Sequence, residues 1–169
     1  MTGMTAEKDK NCSKIEQLSH ILTHKGWYIA CAESCTGGWV AKLFTDLAGS
    51  SDWFERGYVT YSNRAKQEML GVSVVSLDSF GAVSEEVVKQ MALGACQQAA
   101  TEVSLAISGI AGPTGGTEDK PVGLVWFAWC IQGQLETYSE VFAGDRNAVR
   151  QQAVDVAIDK LLGFLSVNL

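Results

Sequence analysis

Trp27-Tyr28-Ile29-Ala30-Cys31-Ala32-Glu33-Ser34-Cys35-Thr36-Gly37-Gly38 decides how this 169-residue chain is read. Trp27 to Cys31 is a short β-rich run, and the small and polar residues from Ala32 to Gly38 make a turn after it. Past the glycines, Val40, Leu43, Phe44 and Leu47 fall on one helical face, which Gly49, Ser50 and Ser51 close. Strand, turn and helix in that order start an α/β fold.

The same alternation continues outward. Upstream, Ile15, Leu18, Ile21 and Leu22 repeat at helical spacing as far as Gly26. Downstream, Gly57 to Ser62 is strand-like, Asn63 to Leu70 suits a short helix, and Val72 to Phe80 reads as a loop or small strand pair. Ser84 caps a strong helix with Glu85 and Glu86 in its positive first turn and Val88, Met91, Ala95 and Ala99 as its buried stripe. Val103 to Ile107 is another apolar strand. Gly123 to Ile131 and Gln134 to Phe142 follow as β-runs joined by a hairpin turn at Gln132-Gly133. Asp145 caps a last helix whose apolar face is Val154, Ala157, Ile158, Leu161 and Leu165. The expected class is α/β: a three-layer α/β/α single domain with a central mixed sheet, occupying residues 13–169 after a flexible N-terminal tail at 1–12.

Composition narrows the function classes. A chain of this length buries roughly 70% of its unfolded surface in one core, so no disulfide or metal is needed to hold it. Its formal net charge of −6 offers no broad basic surface for a nucleic-acid backbone. Met1 to Asn11 lacks the apolar run of a secretory signal, and the apolar stretch Val122 to Ile131 is too short to span a bilayer. The expectations are no nucleic-acid partner, no membrane and a cytoplasmic location. Five cysteines, Cys12, Cys31, Cys35, Cys96 and Cys130, fit reduced thiols. Apolar β-runs and five tryptophans fit a homodimer or higher homo-oligomer.

Several residues could carry chemistry. Ser34 stands where a strand ends and a helix begins, a place that serves a helix cap, a nucleophile or an anion. Gly37 and Gly38 cost stability in a first helical turn, and a close ligand approach is a reason to keep them. Lys66 lies four residues beyond Ser62, either as a solvated surface amine or turned back into an apolar cleft, where desolvation would let it take a serine proton. Tyr61 is either a core aromatic or a donor to a ligand. The run Ser108-Gly109-Ile110-Ala111-Gly112-Pro113-Thr114-Gly115-Gly116 lacks the Gly-Lys-Ser/Thr of a P-loop, leaving a nest of amides or an ordinary wide turn. Arg146, at a helix start, either grips an anion or pairs with an acid such as Glu140. His20 and His24 are spaced i, i+4 without a third ligand, so neither a metal nor another cofactor is expected.

Taken together, Ala32 to Gly38, Gly57 to Asn63 with Lys66, Gly81-Ala82-Val83-Ser84, Ser108 to Pro113 and Pro121-Val122-Gly123 closely resemble the C-terminal domain family of the competence/damage-inducible protein CinA. The resemblance runs from about Ile15 to Leu165 and is strongest to the family's stand-alone bacterial nicotinamide mononucleotide deamidases. It implies hydrolysis of the carboxamide of nicotinamide mononucleotide to nicotinate mononucleotide and ammonia, a step of pyridine nucleotide recycling. Carried over by motif, Ser34 would be the nucleophile, Lys66 its base, Tyr61 and Ser108 polar helpers, and Arg146 a substrate anchor. Glu33, Thr36, Gly37, Gly38, Asn63, Gly109 and Gly112 would complete the substrate site. The family often has Thr in place of Ser108, which keeps the hydroxyl. Longer members carry an N-terminal pyrophosphatase domain that this sequence lacks, so activity owed to it is not expected. The expected oxyanion donors are amides near Thr36 to Gly38 or at Ser108-Gly109. A different class of function, a non-catalytic nucleotide-binding or regulatory module using the same pocket, is opposed by the presence of both Ser34 and Lys66.

Overall fold

In a computed structural model that describes the backbone of residues 2–167 and the side chains of residues 11–167, the strand of the quoted stretch is Ile29–Glu33 (β1). All five of its residues are buried. Parallel neighbours flank it on both sides, Phe54–Val59 (β2) and Val103–Gly109 (β3). Leu124–Ile131 (β4) and Gln134–Val141 (β5) extend the sheet antiparallel, giving the order β2-β1-β3-β4-β5. The hairpin turn is the expected one: Gln132 and Gly133 both take left-handed backbone, with φ of 50° and 80°.

Alternation along the strands sorts residues onto two faces. Ile29, Cys31, Leu105, Ile107, Phe127 and Trp129 pack against the helices Thr2–Lys25 (α1), Trp39–Asp46 (α2) and Arg146–Val167 (α6). Ala30, Ala32, Ala106 and Ala128 face the other way, toward the helices Asn63–Leu70 (α3), Val74–Phe80 (α4) and Glu85–Ala99 (α5). The result is the expected three-layer α/β/α domain with a mixed sheet. Alanines on the second face let α5 lie close, with Val88, Met91 and Ala95 fully buried on them. Helix α3 in turn presses on α5. A Cβ added at Gly94 would stand 2.0 Å from the Leu70 carbonyl oxygen, a backbone atom that cannot swing aside. Gly94→Ala is therefore expected to destabilise the fold by about 3 kcal/mol, read as a lowered midpoint in urea unfolding.

Sequence expectation and structure part at four places. The segment read as a loop or strand pair is helix α4; the Ser73 side chain caps it by accepting the Ser76 amide at 3.0 Å, and Gly81 ends it with φ of 75°. Strand β1 lies two residues later than expected, because the apolar Trp27 and Tyr28 precede the sheet while Glu33 belongs to it. Edge strand β2 begins at Phe54, three residues before its expected start at Gly57. Residues 2–12, expected as a tail, carry helical backbone continuous with α1, in a segment free of proline. The caps of α5 and α6 are as expected, Ser84 accepting the Val87 amide and Asp145 that of Ala148. Among the described residues, no helix is long and apolar enough to cross a membrane.

Candidate active site

The carboxyl ends of the three parallel strands converge, the usual place for a crevice in an open α/β sheet. Ser34 follows β1, and its amide is pinned to the Ile107 carbonyl of β3 at 3.0 Å. Thr60, just past β2, donates its amide to the Glu33 carbonyl at 2.9 Å. Ser108, near the end of β3, is buried, and its hydroxyl donates to the Ala82 carbonyl at 2.8 Å.

Lys66 joins these ends. It lies in the first turns of α3, whose start is fixed by the Ser62 side chain accepting the Ala65 amide. The helix aims the amine inward, where Nζ donates to the Thr60 carbonyl at 2.8 Å and to Ser34 Oγ at 3.1 Å. Lys66 is 1% exposed. Its hydrogen-bond partners are uncharged, so burial acts against the ammonium and lowers its pKa below the ordinary lysine value. Of the two readings left open by the sequence, the cleft is the one observed.

A cavity of about 220 Å³ opens above this pair. Ser34, Lys66 and Ser108 line it together with Tyr61, Asn63, Gly109 and Arg146, while Ala82, Val83 and Ala111 supply apolar wall. At the rim, Arg146 donates to the Gly112 carbonyl at 2.8 Å and to the Tyr61 hydroxyl at 3.0 Å. It does not pair with Glu140, whose carboxylate accepts the Tyr138 hydroxyl instead. Tyr61 is 62% exposed, a rim residue and not a core aromatic. Cys35 also lines the cavity, but burial raises its thiol pKa to about 11, so it stays protonated and unreactive at neutral pH.

Four carried-over residues lie elsewhere. Both carboxylate oxygens of the buried Glu33 are occupied on the far side of the turn, accepting the α2 amides of Val40 at 2.9 Å and Ala41 at 3.1 Å. Glu33 is a cap of α2 rather than a wall of the cavity. Burial first, and then this carboxylate, raises the pKa of the neighbouring Cys31 thiol. Thr36, Gly37 and Gly38 line a separate shallow depression with Trp39, Lys42 and Arg150. The two glycines turn the chain there with φ of 60° and 99°. The Gly37 amide is engaged by the Ser34 carbonyl at 3.1 Å, whereas the Cys35, Thr36 and Gly38 amides have no backbone acceptor among the described residues. Of these three residues, Cys35 lines the cavity, while Thr36 and Gly38 line the separate depression.

Sequence reasoning missed Thr60, which acts through a backbone carbonyl and so leaves no residue-type signal. It also missed Arg150, whose position one helical turn after Arg146 was the available sign. His20 and His24 are exposed on α1, and among the described residues no group of three or more His, Cys, Asp or Glu could hold a metal ion.

The family model of the CinA C-terminal domain matches residues 12–165. The chain belongs to the CinA C-terminal domain family. This CinA domain is 55% identical over 147 residues to the nicotinamide-nucleotide amidohydrolase PncC of Shigella flexneri, covering 86% of this chain and 89% of that protein. To the protein of the same name from Pseudomonas putida it is 49% identical over 134 residues, covering 79% and 84%. Among solved structures, the competence damage-inducible protein A (ComA) from Klebsiella pneumoniae subsp. pneumoniae MGH 78578 superposes with a TM-score of 0.89 at 37% identity. That superposition covers 92% of this CinA domain and 97% of the other chain.

Proposed function

We propose that this protein hydrolyses the carboxamide of nicotinamide mononucleotide to nicotinate mononucleotide and ammonia, with Ser34 as nucleophile and Lys66 as its base. The buried Lys66 Nζ held 3.1 Å from Ser34 Oγ carries the assignment. The names of the PncC relatives supply the substrate.

Unprotonated Lys66 accepts the Ser34 proton as Oγ attacks the carboxamide carbon. The amides of Cys35 and Thr36 are the donors for the developing oxyanion. Lys66 then returns the proton to the nitrogen, ammonia leaves, and water hydrolyses the Ser34 acyl ester. Ser108 has committed its proton to the Ala82 carbonyl, so its lone pairs face the cavity as acceptors for the carboxamide NH₂. The walls of Ala82, Val83 and Ala111 suit the flat pyridine ring. Arg146 keeps N–H donors beyond those spent on Gly112 and Tyr61 and anchors the phosphate.

Arg146→Gln should raise KM for the mononucleotide by about tenfold to a hundredfold, the worth of one charge-assisted contact, with a smaller change in kcat. Steady-state kinetics on the variant reads this. Residues 13–169 constitute the catalytic unit, which in this reading works in the cytoplasm as a homo-oligomer. Buried free thiols at Cys31, Cys35 and Cys130 suit a reducing compartment, and the exposed Val59 and Val141 on edge strands β2 and β5 suit contact between copies. The decisive experiment is coupled detection of ammonia from nicotinamide mononucleotide with purified protein. Release of ammonia supports the assignment, whereas binding of the mononucleotide without release would make the domain a nucleotide-binding module.

A further inference from the structure

The turn that carries Ser34 is held by two charged side chains that do not face the cavity. On one side Glu33, 1% exposed, receives the amides of Val40 and Ala41. On the other, Arg150 of α6 donates Nε to the Cys35 carbonyl at 2.9 Å and Nη2 to the Thr36 carbonyl at 3.3 Å. Its guanidinium rests on the Trp39 ring, 5.4 Å from the centroid, which fixes the plane of the fork. The Thr36 carbonyl has a second donor in the Trp39 amide, but among the described residues no backbone amide reaches the Cys35 carbonyl.

We infer that Arg150 and Glu33 form a clamp of opposite charges that positions the Ser34 turn for reaction, Arg150 by its carbonyls and Glu33 by the helix amides that follow. The inference rests on Ser34 being the nucleophile. Arg150 also acts on the donors of the turn. In a planar trans peptide the Cys35 carbonyl and the Thr36 N–H point in opposite directions. A cation on that oxygen polarises the unit and strengthens the N–H on the far side as a donor. Arg150 is thus a positioning residue, working through the turn and away from the substrate.

Arg150→Met, Arg150→Lys and Glu33→Gln test the clamp, each checked for folding by circular dichroism. Arg150→Met is expected to lower kcat for nicotinamide mononucleotide by about 10²-fold, the usual cost of misplacing a reacting group, with KM unchanged. Arg150→Lys should recover part of the loss because it restores the charge without the fork. Glu33→Gln should lower kcat in the same direction. A second readout does not depend on the substrate. A fluorophosphonate probe phosphonylates Ser34, forming the Oγ–P bond as fluoride leaves and Lys66 takes the proton. Its rate of attachment, mapped to Ser34 by mass spectrometry, should fall in parallel with kcat. A raised KM at unchanged kcat, or an unchanged labelling rate, in folded Arg150→Met overturns the clamp. Labelling of Ser34 without ammonia release in the parent protein faults the substrate assignment alone. A parent Ser34 that cannot be labelled overturns clamp and nucleophile together.

Discussion

Ser34→Ala is expected to abolish ammonia release from nicotinamide mononucleotide, lowering kcat by roughly 10⁴-fold or more. The covalent route needs an oxygen at this position, and no neighbour can replace it. Cys35 is the adjacent alternative, but burial raises its pKa to about 11, leaving a neutral thiol, and the Lys66 amine is directed at Ser34 Oγ. Ser108 Oγ is engaged by the Ala82 carbonyl. The fold should survive, because Ser34 Oγ bonds to Lys66, and Lys66 keeps the Thr60 carbonyl when that oxygen is gone. The check is ammonia release measured beside the urea midpoint: turnover retained in a folded variant would remove Ser34 from the chemistry. Binding of the mononucleotide should persist, since Arg146, the proposed phosphate anchor at the rim, is untouched.

The contrast between Ser34 and Lys66 shows which parts of this site a sequence can disclose. The position of Ser34 was legible, since a β-run, a polar turn and glycines announce a strand end and a helix start before any packing is known. Lys66 is different. Its spacing from the strand end was readable, yet its buried place beside Ser34 is a contact between residues 32 apart in the sequence. The place of Glu33, off the cavity lining, was hidden for the same reason. A carboxylate in an active-site motif suggests ligand binding, and only the folded turn places it on the amides of Val40 and Ala41. Helix α4 was hidden by composition: Val74 and Val75 favour strands, and a helix of seven residues is too short for a periodic pattern, so its capping by Ser73 decides it. The layers, the hairpin and the long helices were legible because each rests on local patterning that the tertiary contacts reinforce.

Lys66→Met separates the chemical role of the amine from its effect on stability, because the two are expected to move in opposite directions. Loss of the proposed base should lower kcat by about 10³-fold, within the range for general acid–base catalysis. Lys66→Arg should not rescue it, since a guanidinium stays charged and accepts no proton. In the parent, activity should rise with pH as the amine loses its proton, over a range below the ordinary lysine value, because burial lowers its pKa. Stability follows the same titration. Between the lowered value in the fold and about 10.4 in the unfolded chain, the unfolded state binds more protons, so stability increases with pH across that window. Below the window the cost of keeping a buried ammonium is fully present. Met fills a similar volume without the charge, so the variant should lose this alkaline rise and at neutral pH be at least as stable as the parent. Urea unfolding of both proteins from neutral pH to about pH 10.4 tests it. Parallel pH dependences in parent and variant would mean that Lys66 is not buried as an amine beside Ser34, and the proton acceptor would have to be sought in another group.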